Sequence, residues 1–131
     1  MSDKELIRKI RELYNLIVGG GGIIVEIKDY LKREVFDIFN FDICRSIEKR
    51  LWNGDKIVYL QLISFYGDES ILILFLKKAR RLAGSPIIAE LPGNPLEIPY
   101  IDDDQLRELA NRNNMYCEYH PLYNKYIIVV P

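Results

Sequence analysis

The chain has 131 residues, of which 49% are hydrophobic and 28% are charged. This length suits one globular domain, and the composition excludes intrinsic disorder as the default state. Eighteen basic and nineteen acidic side chains leave a net charge of −1, so the chain as a whole offers no positive field to nucleic acid or to an anionic membrane.

The sequence contains no pattern typical of export or of membrane insertion. Its longest apolar run, residues 71–76, is far shorter than the ~20 residues of a membrane span. Residues 1–5 are polar and charged, unlike a secretory signal, and two cysteines are too few for a disulfide framework. We therefore expect a cytoplasmic protein with no membrane partner. Nineteen Ile and only two Gln favour a thermophilic archaeal or viral source.

The chain begins with a predicted helix and a predicted strand. Ser2 and Glu5 form a capping box, and apolar residues then recur at helical spacing up to Ile17. Four glycines, residues 19–22, end this helix, and residues 23–28 alternate as a strand does. A phosphate-binding loop runs from a strand through glycines into a helix, which is the reverse order. We therefore predict a connector here and no nucleotide cofactor.

The middle of the chain continues this alternation of helices and strands. The pattern predicts helices over 29–39 and 42–51 and a strand over 57–65. Residues 71–76 fit either a hairpin strand or the start of a helix that continues to Ala83. We favour the helix because Asp68 and Glu69 lie at its start and basic residues lie near its end, as the helix dipole prefers.

The remaining elements complete an α/β domain over residues 1–131. A strand over 86–91 follows the helix, which implies a parallel pair of strands joined by a crossover. Asp102 or Asp103 begins a helix that ends near residue 113, and residues 115–120 and 125–130 form a C-terminal hairpin. The predicted architecture is a mixed sheet of about five strands with helices packed on it.

Glu26 and Lys28 are the strongest catalytic candidates. Two residues apart on a strand, they project from one face, where a carboxylate can bind a divalent metal and an ammonium can hold the attacking water. Many metal-dependent nucleases combine such a pair with an upstream aspartate on a neighbouring strand, whereas here only Asp3 lies upstream. A solvated strand face is the alternative interpretation.

We expect neither a metal site nor a cofactor. Cys44, Cys117 and His120 are three candidate zinc ligands without the usual paired spacing, and we interpret both cysteines as small core side chains. The acidic run 102–104, near Glu97, has the chemistry for a hard cation, but capping of the following helix explains it as well.

One basic helix face is a candidate for nucleic-acid binding. It carries Lys77, Lys78, Arg80 and Arg81, which Arg45, Lys49 and Arg50 of another helix would extend. Without interleaved aromatic residues or a net positive charge, a solvated helix face is the simpler interpretation.

The C-terminal hairpin is the favoured functional surface. It concentrates four tyrosines, a residue type enriched at protein interfaces, and a hairpin at a sheet edge is suited to strand pairing. We therefore predict a non-catalytic binding or assembly domain that forms a homodimer. The alternatives are a metal-dependent nuclease using Glu26 and Lys28, or nucleic-acid binding by the basic helix face. The hairpin tyrosines are Tyr116, Tyr119, Tyr123 and Tyr126.

Overall fold

A computed structural model describes residues 1–28, 56–95 and 101–131 of the chain. The helices predicted over 29–39 and 42–51 lie outside these residues. The described elements are, in chain order, α1 (Asp3–Ile17), β1 (Ile23–Lys28), β2 (Ile57–Leu62), α2 (Glu69–Ala83), β3 (Ile87–Pro92), α3 (Asp103–Arg112), β4 (Tyr116–His120) and β5 (Lys125–Val130).

The five described strands form one mixed sheet in the order β1-β2-β3-β5-β4. Strands β2 and β3 are parallel, and the other neighbouring pairs are antiparallel. The hairpin register places Tyr119 opposite Tyr126. This topology confirms the predicted α/β architecture, the parallel pair and the C-terminal hairpin.

The three described helices pack on one face of the sheet. Helix α1 contacts β1 and α2, while α3 contacts β4 and α2. A hydrophobic core of described residues joins them to the strands, and its largest fully buried side chains include Tyr14, Phe75 and Leu60. None of the described helices is long and apolar enough to cross a membrane.

Local signals explain where α1 begins and ends. The Ser2 hydroxyl accepts a hydrogen bond from the Glu5 amide at 3.2 Å, as the capping box predicts. Beyond the helix, Gly21 has a φ of +83°, which glycine adopts without a steric cost. The Tyr14 hydroxyl donates to the carbonyl of Gly20 at 2.6 Å, and its ring meets Phe75 edge-on. The glycine run therefore folds back against α1 and connects it to β1.

Residues 71–76 form part of α2, so the helical interpretation is confirmed. The Asp68 side chain caps the helix by accepting from the Ser70 amide at 2.8 Å, and Gly84 ends it in the left-handed conformation. Ile73 of this helix is buried. Strand β2 ends at Leu62, three residues earlier than predicted.

Candidate functional site on the second face of the sheet

The sheet has two faces with different chemistry, because alternate residues of a strand point to opposite sides. One face packs on the described helices. The other, here called the second face, carries polar and aromatic side chains beside buried apolar ones such as Ile88 and Val129. Every strand contributes at least one polar or aromatic residue to it, in sheet order Glu26, Tyr59, Glu90, Lys125 and His120.

Glu90 lies at the centre of this second face and is only 7% exposed. The Tyr59 hydroxyl donates a hydrogen bond to Glu90 Oε2. Lys125 Nζ donates to Glu90 Oε1 at 3.1 Å. Burying a carboxylate costs free energy unless hydrogen-bond donors pair with it. The Tyr59 hydroxyl and the Lys125 ammonium, from the two neighbouring strands, provide this pairing. We call these three residues the Glu90 cluster.

A cavity of about 480 Å³ opens beside the Glu90 cluster. The turn between β4 and β5 supplies Leu122 and Tyr123 to its rim, and the Tyr123 ring lies 4.9 Å from the ring of His120. Ile127 contributes an apolar surface. The cavity therefore combines a charged, hydrogen-bonded group with aromatic and aliphatic walls, as small-molecule sites commonly do.

Glu26 and Lys28 lie on the second face, as predicted, and pair with each other. Lys28 Nζ lies 3.1 Å from Glu26 Oε2 and 5.5 Å from the centre of the Tyr59 ring. The nuclease hypothesis requires a further carboxylate that shares a metal ion with Glu26. Among the described residues, no group of three or more His, Cys, Asp or Glu side chains is placed to hold a metal ion.

The basic residues of α2 do not act as one uniform surface. Arg80 Nε donates to the carbonyl of Pro131 at 3.0 Å, so this side chain anchors the last described residue of the chain. Lys77, Lys78 and Arg81 are exposed. The residues expected to extend the patch lie outside the described part of the chain: Arg45, Lys49 and Arg50.

The four hairpin tyrosines are divided between different environments. Tyr126 is buried on the face of the sheet that packs on the described helices, where its hydroxyl donates to Asp103 Oδ1 at 2.8 Å. Tyr119 lies beside it, with ring centres 5.0 Å apart. Tyr116 is half-buried on the second face, and Tyr123 is exposed at the turn. Only Tyr123 is therefore fully available to a partner.

The structure separates the candidate zinc ligands. Cys117 is buried on the face of the sheet that packs on the described helices, and His120 belongs to the second face. Cys44 lies outside the described residues. Burial raises the pKa of the Cys117 thiol to about 12, despite the nearby charge of Arg107, which lowers it. A thiol with such a pKa is a poor nucleophile at neutral pH.

The acidic run at 102–104 has structural partners. Asp102 caps α3 by accepting from the Gln105 amide at 3.1 Å. Asp103 accepts from Arg107 Nε at 2.9 Å. Burial tends to raise the pKa of Asp103, but hydrogen bonds from Arg107 and Tyr126 make the net shift downward. The capping interpretation therefore holds for Asp102, and Glu97 lies outside the described residues.

The Glu90 cluster is not among the sites that the sequence predicts. One signal for it was present, because Glu90 is a single carboxylate within the apolar segment 87–91. Such a residue on a central strand needs a partner. The partners are 31 and 35 residues away in the chain, so only strand pairing identifies them.

Comparisons of the chain with protein-family models, with curated proteins and with solved structures found no match.

Proposed function

We propose that this protein is a non-catalytic binding and assembly domain that self-associates through its β4–β5 hairpin. One observation carries the proposal: the turn exposes two large apolar side chains next to each other. Leu122 is 79% exposed and Tyr123 is 63% exposed. Aromatic side chains are enriched at interfaces because they bury a large area and keep one polar group that can hydrogen-bond.

The position of the hairpin in the sheet supports the same proposal. Strand β4 is the last strand in the order of the described sheet, so its outer edge has no neighbour among the described strands. An edge strand presents backbone donors and acceptors to a second chain. In a two-fold dimer each copy contributes the same surface, so the contact buries the apolar turns of both copies. A homodimer is therefore the simplest assembly.

Light scattering coupled to size-exclusion chromatography tests the proposal. At about 100 µM protein we expect a mass near twice the chain mass of 15.4 kDa, since dissociation constants in the micromolar range are typical of small interfaces. Leu122→Asp introduces a charge into the contact and should return the protein to a monomer at the same concentration.

Leu16→Asp is the matched control, because Leu16 is 82% exposed on α1, far from the hairpin in the chain. This variant should keep the wild-type mass. A monomeric wild-type protein at about 100 µM would refute the proposal, as would an equal loss of mass in both variants.

A further inference from the structure

The cavity beside the Glu90 cluster has a chemistry that self-association does not use. We propose that it binds a neutral, planar heteroaromatic ring with an N–H donor next to a carbonyl acceptor, the hydrogen-bonding edge that guanine and uracil present. The polar groups of this site lie on the sheet itself, whereas Leu122 and Tyr123 of the apolar turn form its rim, so the two proposed roles share that turn.

The two charged groups of the cavity determine the polarity of the ligand. The Glu90 carboxylate and the Lys125 ammonium are 3.1 Å apart, so the site presents an acceptor and a donor side by side with no net charge. A charged ligand would be attracted by one of these groups and repelled by the other, so it gains little net Coulomb energy and still loses its hydration in the cavity. A neutral ligand with a complementary donor and acceptor avoids that cost.

Both groups retain hydrogen-bonding capacity after they have bonded to each other. A carboxylate offers about four acceptor positions, and Glu90 uses two of them for Tyr59 and Lys125. The Lys125 ammonium has three donors and uses one for Glu90. A ring N–H can therefore donate to Glu90 while the adjacent carbonyl accepts from Lys125.

The walls of the cavity determine the shape of the ligand. The rings of His120 and Tyr123 are 4.9 Å apart and tilted by 41°, and Tyr123 retains enough exposed surface for a flat ligand to stack on it. Ile127 adds an apolar contact. A volume of about 480 Å³ lies within the range of small-molecule sites and accommodates a base with its sugar.

Isothermal titration calorimetry with defined probes tests this assignment. We expect guanosine or uridine to bind with a dissociation constant of about 1 mM or tighter. Adenosine, which has no carbonyl on its base, should bind about tenfold more weakly. Benzylamine and benzoate, which match the aromatic ring but carry one charge, should show no saturable binding.

Two variants test the named residues against matched controls. Glu90→Gln keeps the shape of the side chain and removes its charge, and Tyr123→Ala removes the stacking surface. Each should weaken nucleoside binding by about tenfold or more. Two control variants should bind nucleosides as the wild type does. Glu108→Gln alters an ion-paired carboxylate on α3, and Tyr66→Ala removes a tyrosine that is 66% exposed, similar to Tyr123.

The opposite results would overturn the assignment. These are no binding of guanosine or uridine at about 5 mM, equal binding by wild type and Glu90→Gln, or saturable binding of a charged probe. Circular dichroism checks the fold of each variant, and Lys125→Met replaces Glu90→Gln if the latter is unfolded. The mass measurement and the heat of binding are separate readouts. Glu90 lies on β3 and not in the shared turn, so Glu90→Gln should lose nucleoside binding and keep the wild-type mass, which separates the two proposals.

Discussion

Cys117 shows how the surroundings of one residue set its chemistry. Its side chain is buried between β4 and α3, and Arg107 Nη1 donates to its carbonyl at 3.1 Å. Burial is the largest influence on its thiol and raises the pKa to about 12, while the charge of Arg107 opposes this shift. The thiol is therefore protonated, and acts as a core side chain, at neutral pH.

We predict that Cys117 of the folded protein reacts with a disulfide reagent at pH 8 far more slowly than in the urea-unfolded chain. The measurement uses the Cys44→Ser variant, in which Cys117 is the only cysteine. Because folding raises this pKa above the ordinary value of 9.0, the stabilising contribution of the protonated thiol is complete below pH 9 and is lost as the pH rises towards 12.

Both the reactivity and the fraction unfolded should therefore increase over that range of pH. The variant Cys44→Ser/Cys117→Ala, which has no thiol, gives the background signal. Equal rates for folded and unfolded protein at pH 8 would show that the thiol is accessible and contradict the prediction.

At the scale of elements, the glycine connector between α1 and β1 requires glycine more strictly at position 21 than at position 20. Gly21 has a φ of +83°, and a Cβ atom there would collide with the backbone carbonyl and hydroxyl oxygens of Ser64. A Cβ atom at Gly20 would meet nothing within 4 Å. The two glycines are thus adjacent in the sequence, but there is space for a side chain at Gly20 and none at Gly21.

We predict that Gly21→Ala lowers the free energy of unfolding by about 1–3 kcal/mol, because it combines an unfavourable φ with a backbone collision. Gly20→Ala should change it by less than about 1 kcal/mol, in either direction. Urea denaturation followed by circular dichroism measures both values. Equal losses in the two variants would mean that the connector does not hold Gly21 against Ser64.

At the scale of the whole molecule, polar contacts across the chain fix how the helices meet. Glu69, in the first turn of α2, is buried and accepts a hydrogen bond from the Asp102 amide at 2.9 Å. This bond holds the start of α3 against the start of α2. At the other end of α2, Arg80 holds the carbonyl of Pro131 after β5.

We predict that Glu69→Ala lowers the free energy of unfolding by about 1–3 kcal/mol, because it leaves the Asp102 amide without its acceptor. Glu69→Gln keeps an acceptor oxygen and should cost less. Glu108→Ala, at an exposed ion pair, is the control and should change the free energy by less than about 1 kcal/mol. Urea denaturation compares the three, and a loss at Glu69 no larger than at Glu108 would contradict the prediction.

Much of the fold could be predicted from the sequence, because its signals are local. Capping side chains at Ser2 and Asp68, glycines after helices, and the alternation of apolar residues all act within a few residues of the chain. They determine that α1, α2 and the hairpin form. The parallel pairing of β2 and β3 was also predictable, since a strand, a helix and a strand follow in that order.

The candidate site required the tertiary structure, because its parts meet only through strand register. Tyr59, Glu90 and Lys125 come from three strands, and a shift of one residue in any pairing would turn a side chain to the other face. Tyr126 lies on β5 and is buried against α3, whereas Tyr123 lies in the turn outside both strands and is exposed. The sequence indicated a hairpin rich in tyrosine, but the packing of α3 on one face of the strands decided which tyrosines remain available to a partner.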